Sequence, residues 1–339
     1  MPEASPVVAT VYRAGRVESV HRGFGAVADP EGNVLAGFGD VETPVYWRSA
    51  AKPFQAMPFL EAGGAAAFSL RESEIALACA SHVGEPLHAE TARGMLSKGG
   101  FSEADLRCGA HAPAHEASAA SLARSGEPFT QLHNNCSGKH AAMLLACRML
   151  GFDPKTYEDP EHPLQKLIRA RIAFYSMFPE EEIEVGIDGC SLPVFRLPIS
   201  RLATAYARLL APTALPGESR DGFSARRSVV GSMTGCPFFV SGTGQFTTRF
   251  LEAGGGRWIG KEGAEGVYAI GLAAPARGIA FKIDDGAGRA RHALAIDLMA
   301  KFGGGAPPSL SPDARPELRN ARGTRVGEIV AGVPSEPGS

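Results

Sequence analysis

Strand-like segments lie at both ends of this chain and helix-like segments fill the middle, and that order limits the fold more than any other feature. Val7–Arg13, Arg16–His21, Gly25–Ala28 and Val34–Phe38 are short valine-rich runs separated by the turn signals "RAGR" and "DPEGN". They predict an antiparallel meander. From Ser49 the period changes: Phe54, Met57 and Leu60 recur at helical spacing, and "EAGG" follows as a stop. Helical patterns continue through "ESEIALACAS", "PLHAETARGMLSKG", "HEASAASLARSG", "KHAAMLLACRMLG" and "HPLQKLIRARIAFYSMF". The strand-like run Ile183–Asp188 interrupts them, and helix returns near Ser200–Leu210 and Arg226–Met233. Arg257–Gly260, Gly266–Ile270 and Gly278–Ile283 read as strands, and a last helix is predicted over about Ala290–Lys301. A sheet drawn from both chain ends around an inserted helical region is an α+β architecture. The expectation is one domain over 1–333, with helices inserted at about 70–180 and a flexible tail at 334–339. "GGGAPPSLSPDARPE" reads as a surface loop.

Composition narrows the partners. The 339 residues are 44% hydrophobic and 21% charged, with formal net charge −2 and no basic run. Nothing electrostatic therefore favours a nucleic acid or an anionic membrane. No apolar run approaches the roughly 18 residues that span a bilayer. The start, "MPEASPVVATVY", lacks the charged and apolar regions of a signal peptide. Six scattered cysteines without a secretory signal point to reduced thiols. A soluble cytoplasmic protein is expected.

Ser49 and Lys52 stand three residues apart in "YWRSAAKPFQAMPF". On a helix they share a face, and a desolvated lysine can be neutral and take a serine's proton. The alternative is a capping serine beside a solvated lysine. Ala50, Ala51, Pro53 and Phe54 give Lys52 apolar surroundings, which suits a base. Ser-x-x-Lys hydrolases add a second hydroxyl from the helical region and a Lys-x-Gly near the C-terminal strands. Ser81 in "ACASHVGEP" and Lys261-Glu262-Gly263 in "GKEGAEGVYAIGL" fit those places.

"NNCSGKH" raises a separate question. A phosphate loop would need glycine where His133 stands and a hydroxyl where His140 stands, so that reading fails. Cys136 and Cys190 lack paired spacing, and read from the residues alone they are either buried free thiols or soft metal ligands. His133 and His140 are possible further ligands or ordinary core histidines. The pair His111 and His115 in "HAPAH" has helical spacing but encloses Pro113, and reads as loop.

Several blocks resemble the bacterial L-asparaginase II family of the thermolabile, rhizobial type. They are "RSAAKPFQAMP", "LACASHVGEPLHAETARGML", "LHNNCSGKHAAMLLAC", "GIDGCSLPVFRLPISRLA", "SGTGQF", "KEGAEGVYAIGL", "FKIDDGAGRA" and "LRNARGTRVGEI", running in the family's order from about residue 45 to 330. The resemblance implies a fold shared with serine β-lactamases and penicillin-binding proteins. It implies hydrolysis of L-asparagine to L-aspartate and ammonia. It carries Ser49 with Lys52 as one Ser-Lys pair, Ser81 with Lys261 as a second, and a zinc site from Cys136, Lys139 and Cys190 that the chemical step does not require. Gln245 departs from the basic residue of many relatives. Asparagine's ammonium needs an anion and its carboxylate needs donors. Asp188 and Arg48 are the candidates, with a turn-forming aspartate and a solvent-facing arginine as the alternatives. The expected assembly is a homodimer with no macromolecular partner. Another Ser-Lys amidohydrolase of this fold, or a non-catalytic amino-acid sensor, is the competing reading.

Overall fold

A computed structural model describes residues 5–305 and 307–333, and the expected tail at 334–339 lies outside them. In chain order the strands are β1 (Val7–Arg13), β2 (Arg16–Ala28), β3 (Val34–Phe38), β4 (Pro44–Tyr46), β5 (Glu184–Ile187), β6 (Pro193–Pro198), β7 (Trp258–Glu262), β8 (Val267–Ala273), β9 (Ala276–Ile283), β10 (Glu317–Arg319) and β11 (Arg325–Ala331). The chain divides into two compact units. One comprises the segment up to Ala50, Leu197–Leu210 and the segment from Gly260 onward; the other comprises Ala51–Arg196 and Ala211–Ile259.

The first unit is built on an antiparallel sheet from both chain ends, in the order β10-β11-β1-β2-β9-β8-β7, with β3 also paired to β2. The α+β expectation holds here. The two runs read separately as Arg16–His21 and Gly25–Ala28 form one strand, β2. Gly23, between them, is not a turn. A Cβ there would stand 2.3 Å from the Lys282 carbonyl oxygen, so its small size permits close approach to β9. Strand β11 went unread because its exposed and half-buried residues show no clean alternation.

The helix Ile199–Leu209 lies on β9 and β8, burying Leu202, Ala203, Tyr206 and Leu209. At Gly278 of β9 the contact is backbone on backbone: a Cβ there would fall 1.8 Å from the Ala203 carbonyl oxygen. The helix Arg291–Phe302 packs on β1, β8 and β11.

The second unit is mainly helical. It contains the helices Glu72–Ala78, Pro86–Lys98, Glu116–Ser125, Ser137–Leu150, Pro163–Ser176, Arg220–Gly235 and Phe246–Gly254, so the region expected at about 70–180 lies within it. Ser137–Leu150 is buried continuously from Ser137 to Cys147 and packs against its neighbours Glu72–Ala78 and Pro86–Lys98. A polar face was unnecessary because the helix is enclosed. Strands β5 and β6 form an antiparallel hairpin. The prolines that bracket β6, Pro193 and Pro198, hid it from a propensity reading. Among the described residues, no helix is long and apolar enough to cross a membrane.

Two glycine-to-alanine changes separate packing from propensity. Gly278→Ala must push the helix Ile199–Leu209 off the sheet and should destabilise by about 3 kcal/mol. Gly94, inside Pro86–Lys98, has nothing within 4 Å of a built Cβ. Gly94→Ala should stabilise by about 0.5–1 kcal/mol. Denaturant midpoints check both, and equal shifts would refute the packing account of Gly278.

Candidate active site

In the first unit, Ser49 sits in the 3-10 turn Arg48–Ala51. The Trp47 carbonyl accepts from the Ala50 N–H at 3.0 Å, and the Tyr206 hydroxyl donates to the Ala50 carbonyl at 2.9 Å. Arg48, just before the serine, has φ +49°, a left-handed conformation that costs a non-glycine residue about 1 kcal/mol or more. Such strain is held in place only where the surroundings over-determine it, and here the turn is tied on both sides. Ser49 and Arg48 are half-buried.

Lys261 lies on β7, fully buried, and its Nζ donates to the Glu262 carbonyl at 3.1 Å. Arg291 fixes the strand end, donating to the Gly263 carbonyl at 3.1 Å and to Glu262 Oε2 at 3.0 Å. The glycine of this Lys-x-Gly has a positional reason. A Cβ on Gly263 would stand 2.8 Å from the Trp47 carbonyl oxygen. Within this unit, then, the turn bearing Ser49 and the strand end bearing Lys261 are brought together.

Lys52 begins the short helix Lys52–Gln55 of the second unit, one turn after Ser49 in the chain. It is 1% exposed. Its Nζ contacts the Ala80 carbonyl in a short hydrogen bond, Ser81 Oγ at 3.0 Å and the Asn135 carbonyl at 3.4 Å. The Lys52–Ser81 contact belongs to neither pair expected from the sequence. Carbonyls accept only. Nζ therefore donates to both carbonyls, and it donates to Ser81 Oγ as well. A further hydrogen bond joins Lys52 to the Cys136 thiol.

The turn after Ser81 is tied down by main chain. Ser81 and Val83 N–H groups donate to the Val240 and Ser241 carbonyls, each at 3.0 Å. His82 Nδ1 accepts from the Gly84 N–H at 3.1 Å, so Nε2 carries the proton and donates to Ser137 Oγ at 2.9 Å. Ser137 passes its own proton to the Leu132 carbonyl at 3.0 Å. Burial, and after it the neighbouring His88 and Lys52, hold His82 well below the ordinary histidine range, so the ring is neutral.

Cys136, Lys139 and Cys190 are all buried, and Lys139 Nζ lies 3.2 Å from Cys190 Sγ. The hydrogen bond from Cys190 holds the Cys136 thiol well below its usual range against burial, with Lys139 and Lys52 assisting. Cys136 also caps the helix Ser137–Leu150, whose N-terminus favours a thiolate. That hydrogen bond, followed by burial, pushes Cys190 up. Burial opposes the charge of Lys139, but Cys136, Cys190 and Asp188 together outweigh it and raise its pKa. Two sulfurs and an amine gathered in one buried spot, with Lys139 against Cys190, suit a soft divalent metal, since zinc bonds of about 2.0–2.3 Å place tetrahedral ligands about 3.5 Å apart. Among the described residues, no group of three His, Cys, Asp or Glu side chains suits a metal, so lysine is needed to complete this one. His140 Nδ1 is engaged by the Tyr157 hydroxyl at 2.6 Å and His133 Nδ1 by the Thr130 N–H at 2.9 Å. Asp188 is half-buried beside Gly189, whose N–H it accepts at 2.8 Å.

The L-asparaginase II family pattern matches residues 9–331. The chain belongs to the L-asparaginase II family. That membership makes it an enzyme of the asparaginase-like amidohydrolase type. Among solved structures the chain is similar to a β-lactamase from Mycobacterium bovis, at 16% identity and TM-score 0.41 over 83% of this chain and 94% of that one. It is also similar to an octameric penicillin-binding protein homologue from Pyrococcus abyssi, at 14% identity and TM-score 0.39 over 86% and 75%. No curated protein matches the sequence.

Sequence reading missed the Ala80 and Asn135 carbonyls and His82. The carbonyls carry no sequence signal at all, whereas His82 directly follows Ser81 and could have been weighed. A metal at Cys136, Lys139 and Cys190 binds the amine and thiolate forms, so zinc titration should release protons, and affinity should rise with pH. Calorimetry in buffers of different ionisation enthalpy counts them. Release of none would exclude this donor set.

Proposed function

We propose that this enzyme hydrolyses L-asparagine to L-aspartate and ammonia through a serine acyl-enzyme, with lysine rather than histidine as the base. Family membership supports the amide chemistry. The observation that carries the mechanism is Lys52, a buried lysine held by two carbonyls and the Cys136 thiol with Ser81 Oγ at 3.0 Å.

In this reading neutral Lys52 receives the Ser49 proton and Ser49 attacks the side-chain amide carbon. The oxyanion collapses, and the departing ammonia takes a proton supplied through Ser81 and Lys261. Water then cleaves the aspartyl ester with a lysine as general base. Asp188 receives the substrate ammonium and Arg48 its carboxylate. Zinc held by Cys136, Lys139 and Cys190 would supply a fixed positive charge that organises the pocket. The Lys52–Ser81 contact favours one alternative, in which Ser81 is the attacking hydroxyl.

Ammonia release from asparagine, glutamine and a chromogenic cephalosporin tests the substrate class. Cephalosporin turnover without ammonia from either amide would sink the proposal, and saturable asparagine binding without turnover would favour the sensor. Ser49→Ala should lose at least about 10³-fold in kcat, whereas Cys136→Ser should keep the fold and part of the activity. Acid quench and peptide mapping locate the aspartyl adduct, and an adduct on the Ser81 peptide would reassign the nucleophile.

A lysine base works only as the free amine, so kcat/KM should rise with pH. Lys52→Arg should be inactive at every pH because guanidinium keeps its proton. An active arginine variant would remove Lys52 as the base.

A further inference from the structure

The segment His111–His115 carries two histidines that the proposed mechanism does not use. We propose that this segment is a strap that positions the lysine base, with His111 as a positioning residue acting through Asn135. The inference rests on reading Lys52 as the base.

The protons of His111 are settled by its partners. Nδ1 lies 2.7 Å from the Ala112 carbonyl, which only accepts, so Nδ1 carries the hydrogen. Nε2 is then a lone pair, and it accepts the Asn135 N–H at 3.1 Å. Asn135 in turn offers its carbonyl to Lys52 Nζ. The adjoining residue is pinned to the chain just ahead of the strap. Asn134 Nδ2 donates to the Cys108 and Gly109 carbonyls at 2.9 and 3.0 Å, while its Oδ1 accepts the Cys136 N–H at 2.8 Å.

The other end of the strap holds the turn that follows Ser81. The His115 N–H donates to the Val83 carbonyl at 3.0 Å, and the His115 ring is fixed by Ser118 Oγ at 2.7 Å. Pro113 lies against Gly84, which has φ +74°; a Cβ on Gly84 would stand 3.1 Å from Pro113 and 2.8 Å from the His133 carbonyl oxygen. One short segment thus touches both turns that supply the contacts of Lys52. The turn at Ala80 and Ser81 gives a carbonyl and the hydroxyl, and the turn at Asn134–Cys136 gives the second carbonyl.

The amine needs both carbonyls in place. With Asn135 displaced, Nζ loses one of its fixed acceptors and can swing away from the place where it meets Ser81 Oγ at 3.0 Å. The fault falls on proton transfer and leaves the substrate-binding candidates Asp188 and Arg48 untouched.

Two substitutions separate positioning from packing. His111→Leu keeps bulk and removes the acceptor, whereas the amide oxygen of His111→Gln can still accept the Asn135 N–H. With asparagine as substrate, His111→Leu should lower kcat about tenfold with KM within about twofold, since tenfold corresponds to loss of roughly one hydrogen bond. His111→Gln should recover most of the rate. An unchanged kcat in His111→Leu, or a His111→Gln variant as slow as His111→Leu, would overturn the proposal.

A readout independent of turnover covers failure of the underlying mechanism. Long-range ¹⁵N–¹H NMR of the wild-type protein should show His111 with its proton on Nδ1, and the Asn135 amide signal should move in His111→Leu. If the wild-type enzyme releases no ammonia from any amide, the base assignment fails, and these signals alone decide the strap. A proton on Nε2, or an Asn135 amide indifferent to the substitution, would refute it.

Discussion

The buried amine of Lys52 is the constraint around which the second unit is arranged. Removing a lysine from water is costly unless every donor finds a partner. Here the partners are two main-chain carbonyls, a serine hydroxyl and the Cys136 thiol. Carbonyls can be aimed only by fixing the backbone that carries them. The two turns at Ala80–Gly84 and Asn134–Cys136 therefore have to be rigid, and each is tied by several main-chain bonds. The His82–Ser137 contact links the first turn to the start of the helix Ser137–Leu150, so a shift of either turn moves the other.

The neighbouring charges are balanced within the same space. Lys52 and Lys139 both act on Cys136, and the thiolate is further favoured by the Cys190 hydrogen bond. Two lysines in one buried region would repel each other if both were charged with no anion between them. The thiolate of Cys136 answers the charge of Lys139. A soft metal on the same three atoms would replace one internal charge balance with another.

Much of this was legible in the sequence, and the illegible parts share a cause. The meander β1 to β3, the enclosed helix Ser137–Leu150 and the strands β8 and β9 followed from hydrophobic period and turn residues. The residues Ser49, Lys52, Ser81 and Lys261 could be chosen because a nucleophile and a base have recognisable side chains. The partners that orient Lys52 could not, because a main-chain carbonyl looks the same at every residue. His111 was passed over for a related reason. Pro113 correctly argued against a helix at "HAPAH", but loop is a statement about local conformation and says nothing about what the loop touches. Gly23 fell in the gap between two predicted runs, where the strand is in fact continuous, because its role is set by the Lys282 carbonyl, distant in sequence.

A histidine in the place of Lys52 would not serve the same geometry. An imidazole presents two ring nitrogens in one plane, pointing apart, so it can hold one acceptor while facing one hydroxyl. The amine is tetrahedral and flexible, and it reaches three partners from one atom. Two fixed carbonyls remove much of that freedom and hold Nζ beside Ser81. The orienting role that a carboxylate plays for histidine in a Ser-His-Asp triad is here divided between two backbone groups, neither of which adds a negative charge. The ionisable neighbour of Lys52 is instead the Cys136 thiol, which the lysine hydrogen-bonds and helps hold below its usual range. A triad carboxylate both orients its imidazole and lies against its charge; here the carbonyls fix the position of Nζ while the sulfur is the group that carries charge, so the two roles fall to different partners.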